Sequence, residues 1–131
     1  LLSAKLFAKH NFYIQVLLFS LATNAQEKTI SNIEQTETWI YVYDQKGKKV
    51  YTKSVSEAGD VIGWSATLWI SRHNGWYYLW NADGRRYKTL NVNNIGNIIA
   101  VSGNTFTSNY KNLWIYTFDK NGKRIYTRSA R

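Results

Sequence analysis

Three basic pairs, Lys48-Lys49, Arg85-Arg86 and Lys123-Arg124, recur 37 and 38 residues apart. Lys46, Lys53, Lys88, Lys120 and Arg128 lie in or beside the same three stretches. Cations gathered in one place attract phosphates, sulfates and carboxylates. The chemistry to expect is therefore binding of an anion, such as an acidic polysaccharide, a lipopolysaccharide phosphate or nucleic acid. The same residues also fit a plainer role, which their position favours. Lys and Arg on an outer strand keep a chain soluble and stop a sheet edge from pairing with a second molecule.

Aromatic residues carry the other candidate chemistry. The 131-residue chain holds 6 Trp and 10 Tyr, and flat aromatic faces stack on sugar rings or anchor protein interfaces. Trp39, Trp76 and Trp114 stand at equivalent repeat positions, which predicts that they are core. Trp64, Trp69 and Trp80 are less constrained. Trp69 matches Phe106, and Trp80 matches Tyr43 and Phe118. Trp64 matches only Val101 and is the first choice for an exposed ligand contact.

Catalytic chemistry is poorly supplied. No Cys is present, which excludes disulfides, thiolate zinc sites, iron–sulfur clusters and cysteine nucleophiles. His73 lies in the turn Arg72-His-Asn-Gly75, where the next repeat has Tyr110, so a turn residue is expected and not a ligand. Asp44, Asp83 and Asp119 fall in loops. Asp119-Lys-Asn-Gly122 resembles the start of a calcium loop but lacks its remaining ligands. An Asp that bonds its own turn backbone explains all three loops. No phosphate loop or serine-nucleophile elbow is present. These absences predict a non-catalytic protein without metal or cofactor.

The elements that must position these residues are short strands. One segment occurs three times, as Trp39–Lys53, Trp76–Leu90 and Trp114–Arg128, each with a D/N-x-x-G punctuation followed by a basic pair and a Thr. Trp, Tyr, Ile, Val and Thr favour extended backbone, and the punctuation marks a hairpin. The intervening segments Gly59–Ser71 and Gly96–Ser108 also match, each reading as two strands joined at Ala66-Thr67 or Gly103-Asn104. Thr29–Glu37 has room for one strand before the first copy. This predicts two full four-strand repeats after a truncated one, about eleven strands in all, and essentially no helix. Apolar residues on both faces of Trp39–Tyr43 and Trp76–Trp80 predict covered strands, and the cation-rich strand after each predicts an edge.

The N-terminal 25 residues read as an address. Lys5, Lys9 and His10 precede the apolar run Phe12–Ala22, and Thr23-Asn24-Ala25 offers small or short residues before a cut. The run is too short for a bilayer core, which needs about 20 residues. Cleavage after Ala25 leaves a single domain, 26–131, with 15 basic and 8 acidic residues, secreted or periplasmic and without a membrane span. Export from the cell disfavours nucleic acid as the partner.

Covered inner strands and a charged outer strand at a 37-residue period match a β-propeller blade. The Asn24-Ala25-Gln26 junction, the W-I-Y-x-Y-D-x-x-G-K-R type repeats and the Arg124–Arg131 terminus resemble an uncharacterised family, a domain of unknown function, of short secreted proteins from Bacteroides-type bacteria. The resemblance implies secretion and an all-β repeat fold, and supplies no activity or site residue. Closed propellers have about four to eight blades. Either two chains close a ring of about six blades as a homodimer, or one chain forms a barrel or prism with pseudo-threefold character. The expected function is binding of a glycan or anionic envelope component through aromatics and the basic rim. The alternative is a structural or protein-interaction module.

Overall fold

A computed structural model describes residues 29–131. The expected leader over residues 1–25 and its cleavage point lie outside them. Among the described residues the chain is an antiparallel meander of eleven strands in three sheets, here called blades. Blade 1 holds β1 (Asn32–Gln35), β2 (Trp39–Tyr43) and β3 (Lys49–Ser54). Blade 2 holds β4 (Asp60–Trp64), β5 (Leu68–His73), β6 (Trp76–Asn81) and β7 (Arg86–Asn91). Blade 3 holds β8 (Asn97–Ser102), β9 (Thr105–Tyr110), β10 (Trp114–Asp119) and β11 (Arg124–Ser129). The sheets do not close into a barrel. They form an open, propeller-like series, with the truncated unit first and the cation-rich strands β3, β7 and β11 at sheet edges.

Each hairpin loop is built by the punctuation read in the sequence. Asp44 Oδ1 accepts the backbone N–H of Lys46 and Lys48, and Asp119 Oδ1 does the same for Asn121 and Lys123. These bonds engage the oxygen that a calcium loop would turn toward its ion. Gly47, Gly84 and Gly122 close the three loops at φ 78°, 95° and 87°, where a side chain is strained.

Single helical turns join the blades, a feature not foreseen in the sequence. They are α1 (Val55–Ala58) and α2 (Val92–Ile95). Each starts at a capping side chain, Ser54 accepting from Glu57 N–H and Asn91 from Asn93 N–H, and ends at Gly59 or Gly96. Four residues are too few for a 3.6-residue period to appear in the pattern.

Two cores lie between the blades. In blade 2, Trp69 and Trp80 lie on the face turned to blade 1, against Ile33, Ile40 and Val42. Its other face turns Leu68, Ile70, Tyr77 and Leu79 to Phe106, Tyr116 and Phe118 of blade 3. Burying each such side chain is worth about 1.5–3 kcal/mol, so blade 2 contributes to both halves of the core. Polar bonds knit the blades at one end. Tyr51 donates its hydroxyl to Ala82 O of blade 2, and Tyr87 donates to Lys120 O of blade 3.

The terminal faces are treated differently. On blade 3, Thr105, Thr107 and Thr117 stand where blade 2 has Leu68, Ile70 and Leu79. On blade 1, Asn32 and Glu34 stand where blade 2 has Trp69 and Ser71, and Glu34 accepts from the Tyr43 hydroxyl. β2 is therefore covered on one face only, with Ile40 and Val42 buried, whereas β6 is covered on both.

Candidate binding site

The three repeat tryptophans are not core. Trp39, Trp76 and Trp114 are 44%, 45% and 44% exposed. Each opens the second-last strand of its blade, where the register sets it opposite Ser54, Asn91 or Ser129 at the margin of the sheet. Inter-blade packing instead takes the positions further along the strand, Ile40 and Val42 in β2 and Tyr77, Leu79 and Trp80 in β6.

Beside each exposed indole lies the same set of side chains. Two residues on, the strand places a Tyr on the same face: Tyr41, Tyr78 or Tyr116. The second member of each basic pair lies over that ring. Lys49 Nζ is 4.6 Å from the Tyr41 centroid, and the guanidinium carbons of Arg86 and Arg124 are 4.2 and 4.3 Å from those of Tyr78 and Tyr116. Opposite each Tyr in the register is a Thr: Thr52, Thr89 or Thr127. On blade 2, Trp76, Tyr78, Arg86 and Thr89 line an open cleft of 210 Å³. Cation–π contacts at exposed sites are worth about 0.5–1 kcal/mol, so those on the half-buried Tyr41 and Tyr78 orient the charge without tying it up, while Arg124 caps the buried Tyr116. No carboxylate lines the blade 2 cleft.

The structure divides the basic pairs. Lys49, Arg86 and Arg124 lie on tyrosine rings beside the exposed indoles, and Arg86 lines the blade 2 cleft. Lys48, Arg85 and Lys123 precede them in the hairpins, exposed to solvent. Arg85 has Asp83 at 3.9 Å, both largely exposed, and such a pair holds a charge loosely. All three hairpins fall at the same end of the blades, joined through Tyr51 and Tyr87 as described, so the cations share one rim.

Two of the candidate tryptophans are corrected. Trp69 and Trp80 are buried between blades 1 and 2, their rings stacked at 4.8 Å and 8°. Their indole N–H groups are also consumed, Trp69 donating to the Tyr51 hydroxyl and Trp80 to Ser71 Oγ. Neither can face a ligand. Trp64 is 36% exposed at the opposite end of its blade from Trp76, apart from the Trp–Tyr–cation sets. His73 stacks on Tyr78 at 5.7 Å, and its Nε2 lies 3.1 Å from Ser56 O, a structural placement.

The tyrosine and threonine of each set were missed in the sequence, although both recur at fixed offsets. Their signal was visible as periodicity, and what hid their role was the assignment of the neighbouring Trp to the core. Among the described residues no group of three or more His, Asp or Glu is placed to hold a metal, and no helix is long and apolar enough to cross a membrane. No protein-family model matches the chain and no curated protein matches it, so its function has to be read from the geometry of the repeat.

Proposed function

We propose that the chain is an exported, non-catalytic protein that binds a glycan or an anionic component of the cell envelope through its three Trp–Tyr–cation sets, one of which lines a cleft on blade 2. One observation carries this reading: an indole stays half exposed beside a cation-capped tyrosine in all three blades. Packing alone would bury or replace such a residue, since large aromatics are usually well covered in folded proteins. A half-exposed indole offers its face to the C–H side of a sugar ring, and the Thr hydroxyl and the cation offer polar contacts at its margin. The cation favours a sugar that carries a carboxylate, sulfate or phosphate.

Three repeated Trp–Tyr–cation sets, one per blade, suit a repeating polymer better than a single small molecule. A polymer that engages one set meets the next at high effective concentration, and avidity gains of about 10²–10⁴ follow when geometry permits. The test is titration of acidic and neutral polysaccharides into the protein by calorimetry, at low and high salt. Trp39→Ala, Trp76→Ala and Trp114→Ala should each weaken binding of the polymer, and the triple variant should abolish it while keeping its circular dichroism. A folded triple variant that binds like the parent overturns the reading.

The second reading, a two-chain ring, draws on Ile99, Ile125 and Tyr126, which blade 3 leaves largely exposed. Ring closure would set the Trp39 face of one copy against the Thr105, Thr107 and Thr117 face of the other. The hydroxyls at the centre of that face speak for a monomer. Sedimentation equilibrium decides between them.

A further inference from the structure

The two junctions between blades are built from equivalent residues, yet one is closed by hydrogen bonds and the other is open. At the junction of blades 1 and 2, Gln35 bridges the sheets. Its Nε2 donates to Asp60 Oδ1 at 2.9 Å, and its Oε1 accepts from Val61 N–H at 2.8 Å. In the next repeat Arg72 occupies the place of Gln35, and Asn97 that of Asp60. The structural duty has moved elsewhere. Tyr77 stands where blade 1 has Ile40, and its hydroxyl donates to Gly96 O at 2.8 Å and accepts from Ile98 N–H at 3.3 Å. Arg72 is thereby released from holding the blades together.

What remains at the second junction is a cavity of 390 Å³. Arg72 and Lys111 bring two positive charges to it, and no Asp or Glu lines it. Asn93, Asn97, Asn109 and Asn112 bring four carboxamides. Among the described residues only the oxygen of Asn109 is engaged by a hydrogen bond, accepting from Asn112 N–H. The other three side-chain amides of the lining, and the Arg72 guanidinium, make no hydrogen bond or ion pair within the described residues. Arg72, Asn93, Asn97, Lys111 and Asn112 are exposed, so water satisfies them in the free protein, and a ligand with charge and hydroxyls of its own could replace that water without breaking a bond inside the fold.

The loop beside the cavity also differs between the repeats. The spacing from Trp76 to Trp114 exceeds that from Trp39 to Trp76 by one residue, and the extra residue falls in the turn after β9. There Lys111 and Asn112 take positive φ, 55° and 60°, as Asn74 does at 58° in the equivalent, shorter turn of blade 2. The insertion carries the Lys and an Asn to the cavity wall.

We infer that this junction is a binding site for a carboxylated monosaccharide unit, of the hexuronic acid type. Arg72 and Lys111 would take the carboxylate by charge-assisted bonds, and the carboxamides, each donor and acceptor, would take the ring hydroxyls. The site lies at the end of the blades opposite the basic rim and shares no residue with the Trp–Tyr–cation sets, so either can fail without the other.

The experiment is titration of the uniformly ¹⁵N-labelled protein with glucuronate, glucose and inorganic sulfate, followed by amide shifts. The expected result is saturable movement of the Asn93, Asn97 and Asn109–Asn112 amides with glucuronate, at a Kd on the order of 1 mM or tighter, and at least tenfold weaker movement with glucose. Arg72→Gln with Asn97→Asp recreates the closed first junction and should abolish the response while leaving the other amide shifts in place. Lys111→Ser offers a milder change and should weaken it severalfold. The triple Trp→Ala variant should respond like the parent. Equal response to sulfate and glucuronate, equal response to glucose and glucuronate, no response, or a response that survives in both junction variants overturns the assignment.

Discussion

Ser71 and Ser108 occupy the same repeat position and are both fully buried, yet their replacement by Ala should cost different amounts. Ser108 Oγ donates to Ile95 O at 2.6 Å. Ser71 Oγ donates to Ala58 O at 2.6 Å and also accepts from Trp80 Nε1 at 2.9 Å. Blade 3 has Phe118 at the place of Trp80, so Ser108 serves no indole. Ser108→Ala orphans one buried group, and Ser71→Ala orphans two. Each orphan costs about 1–3 kcal/mol, which sets about 1–3 kcal/mol for Ser108→Ala and about 2–6 kcal/mol for Ser71→Ala. The difference should be about one orphaned N–H. Urea unfolding followed by tryptophan fluorescence gives both values, provided the slopes match. A third variant isolates the cause. Trp80→Phe removes the orphaned donor, so adding it to Ser71→Ala should cost less than adding it to the parent, by a coupling of about 1–3 kcal/mol. Equal losses for the two serines, or strict additivity of Ser71→Ala and Trp80→Phe, would refute the hydrogen-bond accounting.

Other outcomes follow from the same geometry. A Cβ on Gly59, which sits at φ 85°, would collide with the Arg72 backbone carbonyl, whereas one on Gly47 at φ 78° meets nothing within 4 Å. Gly59→Ala should therefore lose about 3 kcal/mol or more by overpacking and strain, and Gly47→Ala only about 1–2 kcal/mol for the left-handed backbone, as read by thermal unfolding. Burial pushes the phenols of Tyr51 and Tyr87 up to about 12 from an ordinary value of 10.0. The unfolded chain releases those protons first, so stability is complete below about pH 10 and falls as the pH rises from 10 to 12. Unfolding and tyrosinate absorbance should move together over that range, and Tyr51→Phe with Tyr87→Phe should flatten the pH slope. Backbone N–H groups, Lys48 foremost, hold the Asp44 carboxyl below its ordinary 3.8. Its contribution to stability is present above that value and disappears as the pH falls through the lowered one, an acid slope that Asp44→Ala should remove. Neutralising Lys48, Arg85 and Lys123 should reduce the salt dependence of polymer binding, while neutralising Lys49, Arg86 and Arg124 should also weaken binding at high salt, because the latter lie beside the exposed indoles.

Strand count, blade boundaries and edge strands were legible because each rests on local chemistry repeated three times. Asp44, Asn81 and Asp119 with their glycines fix the hairpins, and the cations of β3, β7 and β11 mark the outer edge. Side-chain exposure was less legible. Trp39, Trp76 and Trp114 recur as regularly as any core residue, and recurrence alone cannot separate a packing position from a repeated surface. Trp69 and Trp80 differ from their counterparts Phe106 and Phe118 in size, which suggested freedom. The difference instead matches hydrogen-bond partners, Tyr51 on the neighbouring sheet and Ser71 on the adjacent strand, that lie 18 and 9 residues away. The carboxamide cavity was invisible for a related reason. Its members are separated by up to 40 positions, and only a comparison of two junctions in space shows that the hydrogen bonds of one are missing from the other.

The hydroxyls on the last face bear on how such a chain behaves when many copies are present. A series of units that stack front to back has no intrinsic end. Had Thr105, Thr107 and Thr117 been Leu, Ile and Leu as in blade 2, the last face of one molecule would offer the first face of the next an apolar seat. Contacts that join unlike surfaces without closing a ring grow into fibres. Three threonines and, at the other end, Asn32 and Glu34 thus act as terminators, five polar residues that deny the next copy an apolar seat.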